Sequence, residues 1–324
     1  MTGTLATIPT GALPSAELVQ QLEEHARHAR GAFAANTERA RRADMLVFSG
    51  WCADAGLDPL PAGPETVVAF VDAMAATRAP ATVRRYVSSI GYAHRAAGVP
   101  SPTDTERLKL ALKRLHRTKG RAQAQAAPLN RARVDAMLGR IGTGLRGLRD
   151  RALLAVAYDT LARRSELVAL LYEDLADGLD GDGTITVRRS KTDQEGVGAT
   201  CYLAPDTMRT VRAWTGAAGV TGGRLFRSVG KAGRIGDALD AGEVSRLFKK
   251  MAVVAGIPEA EASRISGHSV RVGGAQDMAR IGGELPEIMQ AGRWKAAEMV
   301  ARYIQRQNAR RGMAAKLAEK QGRT

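Results

Sequence analysis

The stretch SGHSVRVGGAQDMARIGGELPEIMQAGRWKAAEMVARYIQ, residues 266–305, predicts a run of short helices separated by glycine and proline. Within it, His268 and Arg271 stand three residues apart, so a helix places both on one face, where they can point at one anionic oxygen. Trp294 is followed nine residues later by Tyr303. Such a His–Arg pair also arises by chance, and Tyr303 taken alone fits a core residue. The stretch indicates a function only together with its surroundings.

The sequence around this stretch continues the helical pattern and interrupts it once. The segments TITVRR and GATCYL flank a polar, glycine-containing turn and predict a β-hairpin with Lys191 at its tip. The helices of this half are predicted near 130–141, 146–162, 205–216, 239–255, 268–282, 284–292, 295–305 and 308–321. We therefore expect a mostly helical domain carrying one hairpin over residues 130–324.

The first half of the chain is helical throughout once its start is passed. Residues 1–15 are rich in Thr, Gly, Ala and Pro without an apolar period, which predicts a flexible tail. Residues 16–118 predict an all-helical domain, and residues 119–129 predict a linker because they carry no large apolar side chain before Leu129. The helices of this domain are predicted near 16–31, 37–55, 64–76, 80–97 and 104–118.

The composition is that of a folded protein with a strong positive charge. Of its 324 residues, 44% are hydrophobic and 25% charged, which excludes wholesale disorder, collagen and a membrane bundle. Lys and Arg number 48 against 33 Asp and Glu, so the formal net charge of +15 favours nucleic acid as the partner. The two cysteines have no metal-ligand spacing, and no signal peptide or membrane span is predicted. We expect a cytoplasmic protein that binds no membrane.

Much of the positive charge lies on the helices of the first domain. Arg84, Arg85 and Arg95 interleave with apolar residues, which gives one core face and one basic face. A second group of cations follows in Lys109, Lys113, Arg114, Arg117, Lys119 and Arg121. Each arginine taken singly fits a solvated helix surface equally well. The set has few acids near it in sequence, however, and we interpret it as a phosphate-binding surface.

Separated pieces of the second domain offer the residue types that phosphodiester chemistry needs. They are Arg163-Arg164-Ser165-Glu166, Lys191, His268-Ser269-Val270-Arg271, and Trp294 with Tyr303. Attack on a phosphodiester adds negative charge to the non-bridging oxygens, which two arginines and the N–H donors of His and Trp can stabilise without a metal. Tyr303 is the candidate nucleophile, although a phenol with a pKa of about 10 needs a base or strong cations nearby. Taken alone, Arg163 and Glu166 fit an intrahelical ion pair better.

Two further absences in the sequence bear on cofactors. The chain has no acidic ligand cluster of the kind that two-metal nucleases use. It also has no GxxxxGK[ST] loop for ATP. We therefore expect neither a metal nor any other cofactor.

The order and spacing of these pieces resemble the tyrosine recombinases, and more narrowly the Cre-like site-specific recombinases. Arg163-x-x-Glu166, Lys191, His268-x-x-Arg271, Trp294 and Tyr303 match the motifs of that family in order. The match extends upstream through YDTLARRSEL, ATVRRY and YAHRAAGVPSPTD, so the resemblance covers about residues 36–305. So many separated matches in residue type rarely coincide in an unrelated helical protein.

This resemblance implies a helical core-binding domain, which binds DNA, followed by a mostly helical catalytic domain with a small antiparallel β-sheet. It implies that Tyr303 attacks DNA to form a 3′-phosphotyrosine and that Lys191 protonates the 5′ leaving oxygen. Glu166 would orient Arg163 or His268. A 5′ hydroxyl from a partner duplex would then reseal the strand through a Holliday junction. The implied partners are double-stranded DNA with inverted-repeat half-sites and three further copies of the chain. The four copies would form a homotetramer on two DNA sites and would be monomers without DNA. The implied setting is the nucleoid of a prokaryote, with a chromosomal, phage or plasmid origin.

The family reads base edges with a helix in each domain, and the resemblance implies which residues do so here. The candidates are Thr37, Arg39 and Ala40, then Thr82, Arg84 and Arg85, and in the second domain Ser245, Arg246 and Lys249. Gly242 and Ser245 stand where Cre-like members have a base-reading arginine and an acid. We therefore expect a different target site.

Alternatives remain for both the activity and the C-terminal helix. A type IB topoisomerase or a telomere resolvase would share this chemistry, and a DNA-binding regulator with a decayed site is the alternative from another class. The near-continuous match to Cre-like members and the two-domain length favour recombination over the first two, and the complete set of site residues argues against the regulator. In the helix predicted at 308–321, Ala309, Met313 and Leu317 form an apolar stripe, which either folds back on its own domain or docks on a neighbouring protomer.

Overall fold

The computed structural model describes residues 16–121, 125–189 and 197–323. The chain divides into two units, the first ending at residue 124 and the second beginning at residue 125. This boundary falls inside the segment 119–129 that the sequence assigns to a linker. The prediction of a mainly helical chain with a small antiparallel sheet is confirmed. Within the described ranges, no helix is long and apolar enough to cross a membrane.

The first unit is built from helices whose ends follow local sequence rules. They are α1 (Ala16–His28), α2 (Ala35–Ala55), α3 (Pro64–Thr77), α4 (Pro80–Ala96) and α5 (Glu106–Lys119). Proline opens α3 and α4, where its missing N–H costs no hydrogen bond. Gly56 ends α2 in the left-handed region with a φ of 66°. The Thr105 hydroxyl caps α5 by accepting a hydrogen bond from the Leu108 N–H.

The core of the first unit is aromatic and aliphatic. Phe48 of α2 and Phe70 of α3 are fully buried and meet edge to face, with ring centroids 5.0 Å apart. The apolar residues packed around them are Val67, Val71, Val83, Ile90, Leu108 and Leu115. Because these residues occupy the inner helix faces, the outer faces of α4 and α5 are left to charged residues such as Arg84 and Lys113, which are exposed.

The second unit places its helices around a small sheet. The helices are α6 (Arg131–Arg140), α7 (Leu145–Thr160), α8 (Arg164–Leu167), α9 (Pro205–Ala218), α10 (Ala241–Val254), α11 (Glu259–Ala262), α12 (Ser269–Arg280), α13 (Leu285–Gly292), α14 (Ala297–Arg311) and α15 (Met313–Lys320). Trp214, Phe226 and Phe248 are fully buried in the larger apolar cluster of this unit. A smaller cluster contains Trp294 and Tyr303.

The sheet is antiparallel, with the strands in chain order β1 (Leu175–Asp177), β2 (Gly183–Val187) and β3 (Ala199–Leu203). Ile185 pairs with Leu175 on one side and with Cys201 on the other. Alternate residues of β2 are buried, as expected for a strand with one face on the core. The predicted hairpin corresponds to β2 and β3, whereas β1 was not predicted because three residues are too few to show a period. Lys191, at the predicted hairpin tip, lies outside the described residues.

The C-terminal helices differ from the prediction. We predicted helices at 295–305 and 308–321, but α14 continues through this gap to Arg311, and the break comes at Gly312. Arg306, Gln307 and Asn308 include neither glycine nor proline, so nothing in the sequence interrupts the helix there. No described residue of α15 is buried: Met313 is 79% and Leu317 is 49% exposed. The described residues of this chain therefore do not bury Met313 and Leu317 of the predicted apolar stripe.

Candidate active site

Arg163 and Glu166 form one local unit at the start of α8. Arg163 precedes the helix, and its backbone N–H donates to Glu166 Oε2 at 3.0 Å, which is how an acid at the third helical position satisfies a free amide. The Arg163 guanidinium donates from Nη1 to Glu166 Oε1 at 2.6 Å. The Glu166 side chain is only 3% exposed, against 21% for Arg163. The sequence predicted that Glu166 orients Arg163 or His268, and the described hydrogen bonds connect it to Arg163.

Arg271 enters the site from the first turn of α12 and is held by backbone carbonyls. It is fully buried, and it donates from Nη2 to the Gly292 carbonyl at 2.8 Å and from Nη1 to the Leu161 carbonyl. Its guanidinium carbon lies 4.5 Å from the centre of the Trp294 ring, a cation–π contact. Its Nε has no partner among the described residues. Burial, together with the charge of Arg163, lowers the pKa of Arg271 to about 10, so it stays charged at neutral pH.

His268 and Tyr303 meet although they lie 35 residues apart in sequence. The distance from His268 Nε2 to the Tyr303 hydroxyl oxygen is 2.6 Å. Desolvation, with the positive charges of Arg271 and Arg163, lowers the pKa of His268 to about 4, so the imidazole is neutral near pH 7. Burial raises the pKa of Tyr303, against the opposing effect of nearby arginines, so its phenol keeps its proton. The tyrosine hydroxyl therefore donates to a neutral imidazole that accepts.

Trp294 packs into the site next to two glycines, Gly292 and Gly274, which allow the surrounding residues to approach closely. Its ring lies edge to face with that of Tyr303, with centroids 5.9 Å apart. A Cβ added at Gly292 would lie 1.8 Å from the Trp294 ring, so only glycine fits there. A Cβ added at Gly274 would lie 2.4 Å from the side chain of Leu161, whose carbonyl holds Arg271. These glycines let α12 and α13 approach the arginine site.

The sequence reasoning missed Arg293. This residue donates to Glu166 Oε2 at 2.9 Å, so the buried carboxylate is bound by two arginines. Glu166 and Arg293 lie 127 positions apart, and no periodicity connects residues at that separation. The one hint in the sequence that Arg293 belongs to the site is its position directly before Trp294.

Not all base-reading candidates of the first unit are free cations. Arg85 donates to both carboxylate oxygens of Asp44, with its Nη2 2.8 Å from Oδ1, and the Asp44 side chain is 1% exposed. Arg114 pairs with Asp72 at 3.2 Å. The prediction of few nearby acids was made along the sequence, but the fold brings acids of α2 and α3 to the arginines of α4 and α5.

The remaining candidates of the first unit are placed as follows. Arg84, Lys113 and Arg117 line an open cavity of about 570 Å³ with Lys109, Leu112, His116 and Arg121. On α2, Thr37 is exposed, Ala40 is half-buried, and exposed Arg39 donates to the Asn36 side chain at 2.8 Å. Thr82 of α4 is half-buried. The cavity therefore collects most of the uncommitted positive charge of α4 and α5.

The base-reading candidates of the second unit lie on α10, as predicted, and one of them contacts the turn that leads into the active site. The Ser245 hydroxyl accepts from the Gly267 N–H at 3.0 Å, one residue before His268. Arg246 pairs with Glu243, and Lys249 is exposed. Ser245 is therefore already bound within the protein, whereas Lys249 remains available to a ligand.

Comparison with known proteins gives a consistent picture. Residues 128–310 match the phage integrase family. The chain is 32% identical over 284 residues to an integrase/recombinase XerD homologue of Selenomonas ruminantium, covering 84% of this chain and 82% of that protein. It is 27% identical over 307 residues to the recombinase Cre of Escherichia phage P1, covering 90% of each. A crystal structure of lambda integrase bound as a dimer to a core site shares the fold with a TM-score of 0.61 and 16% identity, over 88% of this chain and 94% of that one.

Proposed function

Because the chain belongs to the phage integrase family, the tyrosine recombinases, we propose that Tyr303 cleaves DNA at a specific site by forming a 3′-phosphotyrosine. The enzyme class follows from the family, and the nucleophile is our assignment. The observation that carries it is the hydrogen bond between the Tyr303 hydroxyl and His268 Nε2, 2.6 Å long, next to Arg163 and Arg271. Because a phenol with a pKa of about 10 is protonated at neutral pH, it needs a nearby base or cations to attack, and both are present around Tyr303.

His268 serves as the base in this proposal. Its lowered pKa of about 4 keeps the imidazole neutral, so Nε2 can accept the Tyr303 proton as the phenol oxygen attacks phosphorus. The sequence analysis assigned His268 a different role, that of a hydrogen-bond donor to the phosphate oxygens. Once it has taken the proton, the imidazolium can also donate a hydrogen bond to an oxygen of the phosphate.

Arg163 and Arg271 supply positive charge in different ways. Arg163 is one-fifth exposed at its side chain, so it can contact a phosphate directly. Arg271 is buried, with two of its five N–H groups used by backbone carbonyls, so it is oriented before substrate binds and keeps three N–H groups to donate. Preorganised donors of this kind typically contribute about 100- to 1000-fold each to the rate. The proposal therefore assigns no step to a metal or to ATP.

Protons and bonds balance over the two transesterifications. The Tyr303 oxygen forms a bond to phosphorus, the bond from phosphorus to the 5′ oxygen breaks, and the leaving oxygen takes a proton from an acid. We assign that acid to Lys191 by its position in the family motif. A 5′ hydroxyl of a partner strand then attacks the phosphotyrosine and releases Tyr303, which recovers its proton. The number of phosphodiester bonds is unchanged, so no energy source is consumed.

We extend the proposal to the assembly that exchanges strands. The basic surface of α4 and α5 and the exposed cations of α10 would bind the half-site, and four copies would hold two duplexes. One of the similar folds, a lambda integrase tetramer, was solved on a Holliday junction, with a TM-score of 0.60. The uncovered apolar residues Met313 and Leu317 on α15 fit docking on a neighbouring protomer, and removing α15 should then abolish cooperative binding to paired half-sites.

The test of the proposal is Tyr303→Phe, which keeps the ring and removes the attacking oxygen. A nicked duplex carrying the site that the wild type selects from a random library should become covalently attached to the wild type and not to the variant. Both proteins should bind that duplex with similar affinity. An adduct on the variant would show that another residue attacks, and relaxation of supercoils without site dependence by the wild type would favour a topoisomerase instead.

A further inference from the structure

Arg293 adopts a backbone conformation that favours glycine. It follows α13 with a φ of 53° and a ψ of 46°, and its N–H donates to the carbonyls of the last helical turn. The left-handed region crowds the Cβ of any L-residue, and helices that end this way usually do so with glycine or asparagine. The backbone conformation therefore gives no reason for an arginine at this position, whereas its side chain makes specific contacts.

The side chain of Arg293 joins three elements of the second unit. Its Nη1 donates to the Thr160 carbonyl at the end of α7, at 2.9 Å, and contacts Cys201 Sγ of β3 at 2.7 Å. Its Nη2 donates to Glu166 Oε2 of α8 at 2.9 Å. The side chain is only 12% exposed, and a guanidinium with these fixed partners has little freedom.

Through Glu166, these contacts reach Arg163. Glu166 Oε1 is taken by the Arg163 guanidinium, whereas Oε2 is shared by the Arg163 N–H and by Arg293. Burial alone would raise the pKa of Glu166, but the hydrogen bonds from Arg163 and the charges of both arginines outweigh it and lower the pKa. Without Arg293, the carboxylate would keep only the backbone N–H and the guanidinium of Arg163 and would lose the hydrogen bond that ties it to the turn of residues 292–294.

The backbone around Arg293 also reaches Arg271. The residue before it, Gly292, provides a carbonyl to Arg271, and the residue after it, Trp294, covers the Arg271 guanidinium. Fixing the side chain of Arg293 on Thr160 and Glu166 therefore fixes the turn that holds and covers the second arginine. Both arginines of the site depend on the same anchor.

We propose that Arg293 is a positioning residue for DNA cleavage, which holds Glu166 and the turn of residues 292–294 so that Arg163 and Arg271 meet the phosphate in a fixed arrangement. This inference rests on the proposed function. The described side-chain hydrogen bonds of Arg293 go to Thr160, Cys201 and Glu166, and none goes to the proposed nucleophile Tyr303.

The test compares Arg293→Gly with Arg293→Lys in the full chain. Glycine is the residue that the left-handed turn favours, so in Arg293→Gly the relief of backbone crowding offsets part of the stability lost with the anchor, and the variant should fold with a melting temperature only moderately below that of the wild type. We expect its single-turnover cleavage of the nicked duplex selected by the wild type to fall about 10- to 100-fold, a typical cost of losing a supporting contact. Its Kd for that duplex should stay near the wild-type value. Arg293→Lys, which can still reach Glu166 with one charge, should recover part of the rate.

A double-mutant cycle with Glu166→Gln tests the route of the effect. If Arg293 acts through Glu166, the glycine substitution should cost much less in the Glu166→Gln background than alone. Arg212→Ala is the matched control, because it removes an exposed arginine that pairs with Asp177 at 2.6 Å. That variant should cleave like the wild type.

Several outcomes would overturn the inference. Wild-type cleavage rates in Arg293→Gly would show that the anchor is dispensable, and full additivity with Glu166→Gln would exclude the route through Glu166 that the inference requires. Loss of folding in both Arg293 variants would assign Arg293 to stability instead. If the wild type itself formed no covalent adduct, the proposed function would fail first, and that result is distinct from all of these.

Discussion

Arginines serve the two units of this protein in opposite ways. In the second unit, Arg271 is fully buried and held by the carbonyls of Leu161 and Gly292, so its direction is set by the fold. In the first unit, Arg84 is exposed beside an open basic cavity of about 570 Å³. A cation that stabilises a transition state must be oriented in advance, whereas one that attracts a polyanion needs only to be near it. Under the proposed function, we expect the difference to separate residues that set the cleavage rate from residues that set the affinity for DNA.

The largest effect is expected for Arg271→Lys, which keeps a charge but loses the planar fork. A lysine cannot donate to both carbonyls and the phosphate in the same geometry, so cleavage should fall by about 100- to 1000-fold. Single-turnover cleavage at saturating protein measures this, and the Kd for the same duplex should change little. A variant that lost affinity and kept its rate would place Arg271 with the binding arginines and remove the contrast between the units.

Arg84→Ala should show the opposite behaviour. Its Kd should rise, and the slope of log K against log salt should become shallower by roughly 0.9 if one phosphate contact is lost. The saturated cleavage rate should be affected far less than the Kd. Binding titrations between low and physiological salt, with the wild type as reference, measure both numbers. An unchanged salt slope would mean that Arg84 makes no phosphate contact.

Arg85→Ala sharpens the comparison within the first unit itself. Arg85 is 54% exposed, but its partner Asp44 is buried and would be left with the Ser89 hydroxyl as its remaining described donor. We expect a loss of about 1–3 kcal/mol in the free energy of unfolding, the usual cost of a buried group left without its partner. Arg84→Ala is the matched control, since Arg84 has no carboxylate partner in the part of the chain described here, and it should unfold like the wild type. Equal stability of the two variants would contradict the ion pair, and an altered preference at one or two base pairs in Arg85→Ala would show that Arg85 also reads DNA.

The smallest effect concerns acid and a buried histidine of the first unit. His94 is fully buried, accepts from the Ala62 N–H at 2.8 Å through Nε2, and bonds the Ile90 carbonyl through Nδ1. Burial lowers the pKa of His94 below its ordinary 6.5, so the unfolded chain takes up the proton at a higher pH than the folded one. Its contribution to stability is therefore complete above pH 6.5 and is lost as the pH falls through the window below that value.

His94→Gln, which does not titrate, should make the melting temperature less sensitive between pH 7.5 and 5.5 than that of the wild type. Hydrogen exchange at the Ala62 amide gives a local measure of the same change. A parallel fall of both proteins with pH would mean that the acid sensitivity lies elsewhere, for example at His268, whose pKa is also lowered.

Sequence alone determined most of the helices of both units. Their ends depend on residues next to them, such as the prolines that open α3 and α4 and the Gly56 that ends α2, so local rules suffice. The site pairs at short spacing, Arg163 with Glu166 and His268 with Arg271, were visible for the same reason. Two elements were not predicted correctly from the sequence. The strand β1 has only three residues, and α14 continues through the predicted break between residues 305 and 308.

Only the tertiary structure decided which charges are paired and which candidate site groups lie in contact. Counting residues gave the net charge of +15, but the pairing of Arg85 with Asp44 joins residues 41 positions apart. The contact of His268 with Tyr303 and the anchor of Arg293 on Glu166 likewise depend on helices that meet far apart in sequence. The physical reason is that periodicity and capping describe one element at a time, whereas a buried hydrogen bond requires the packing of several.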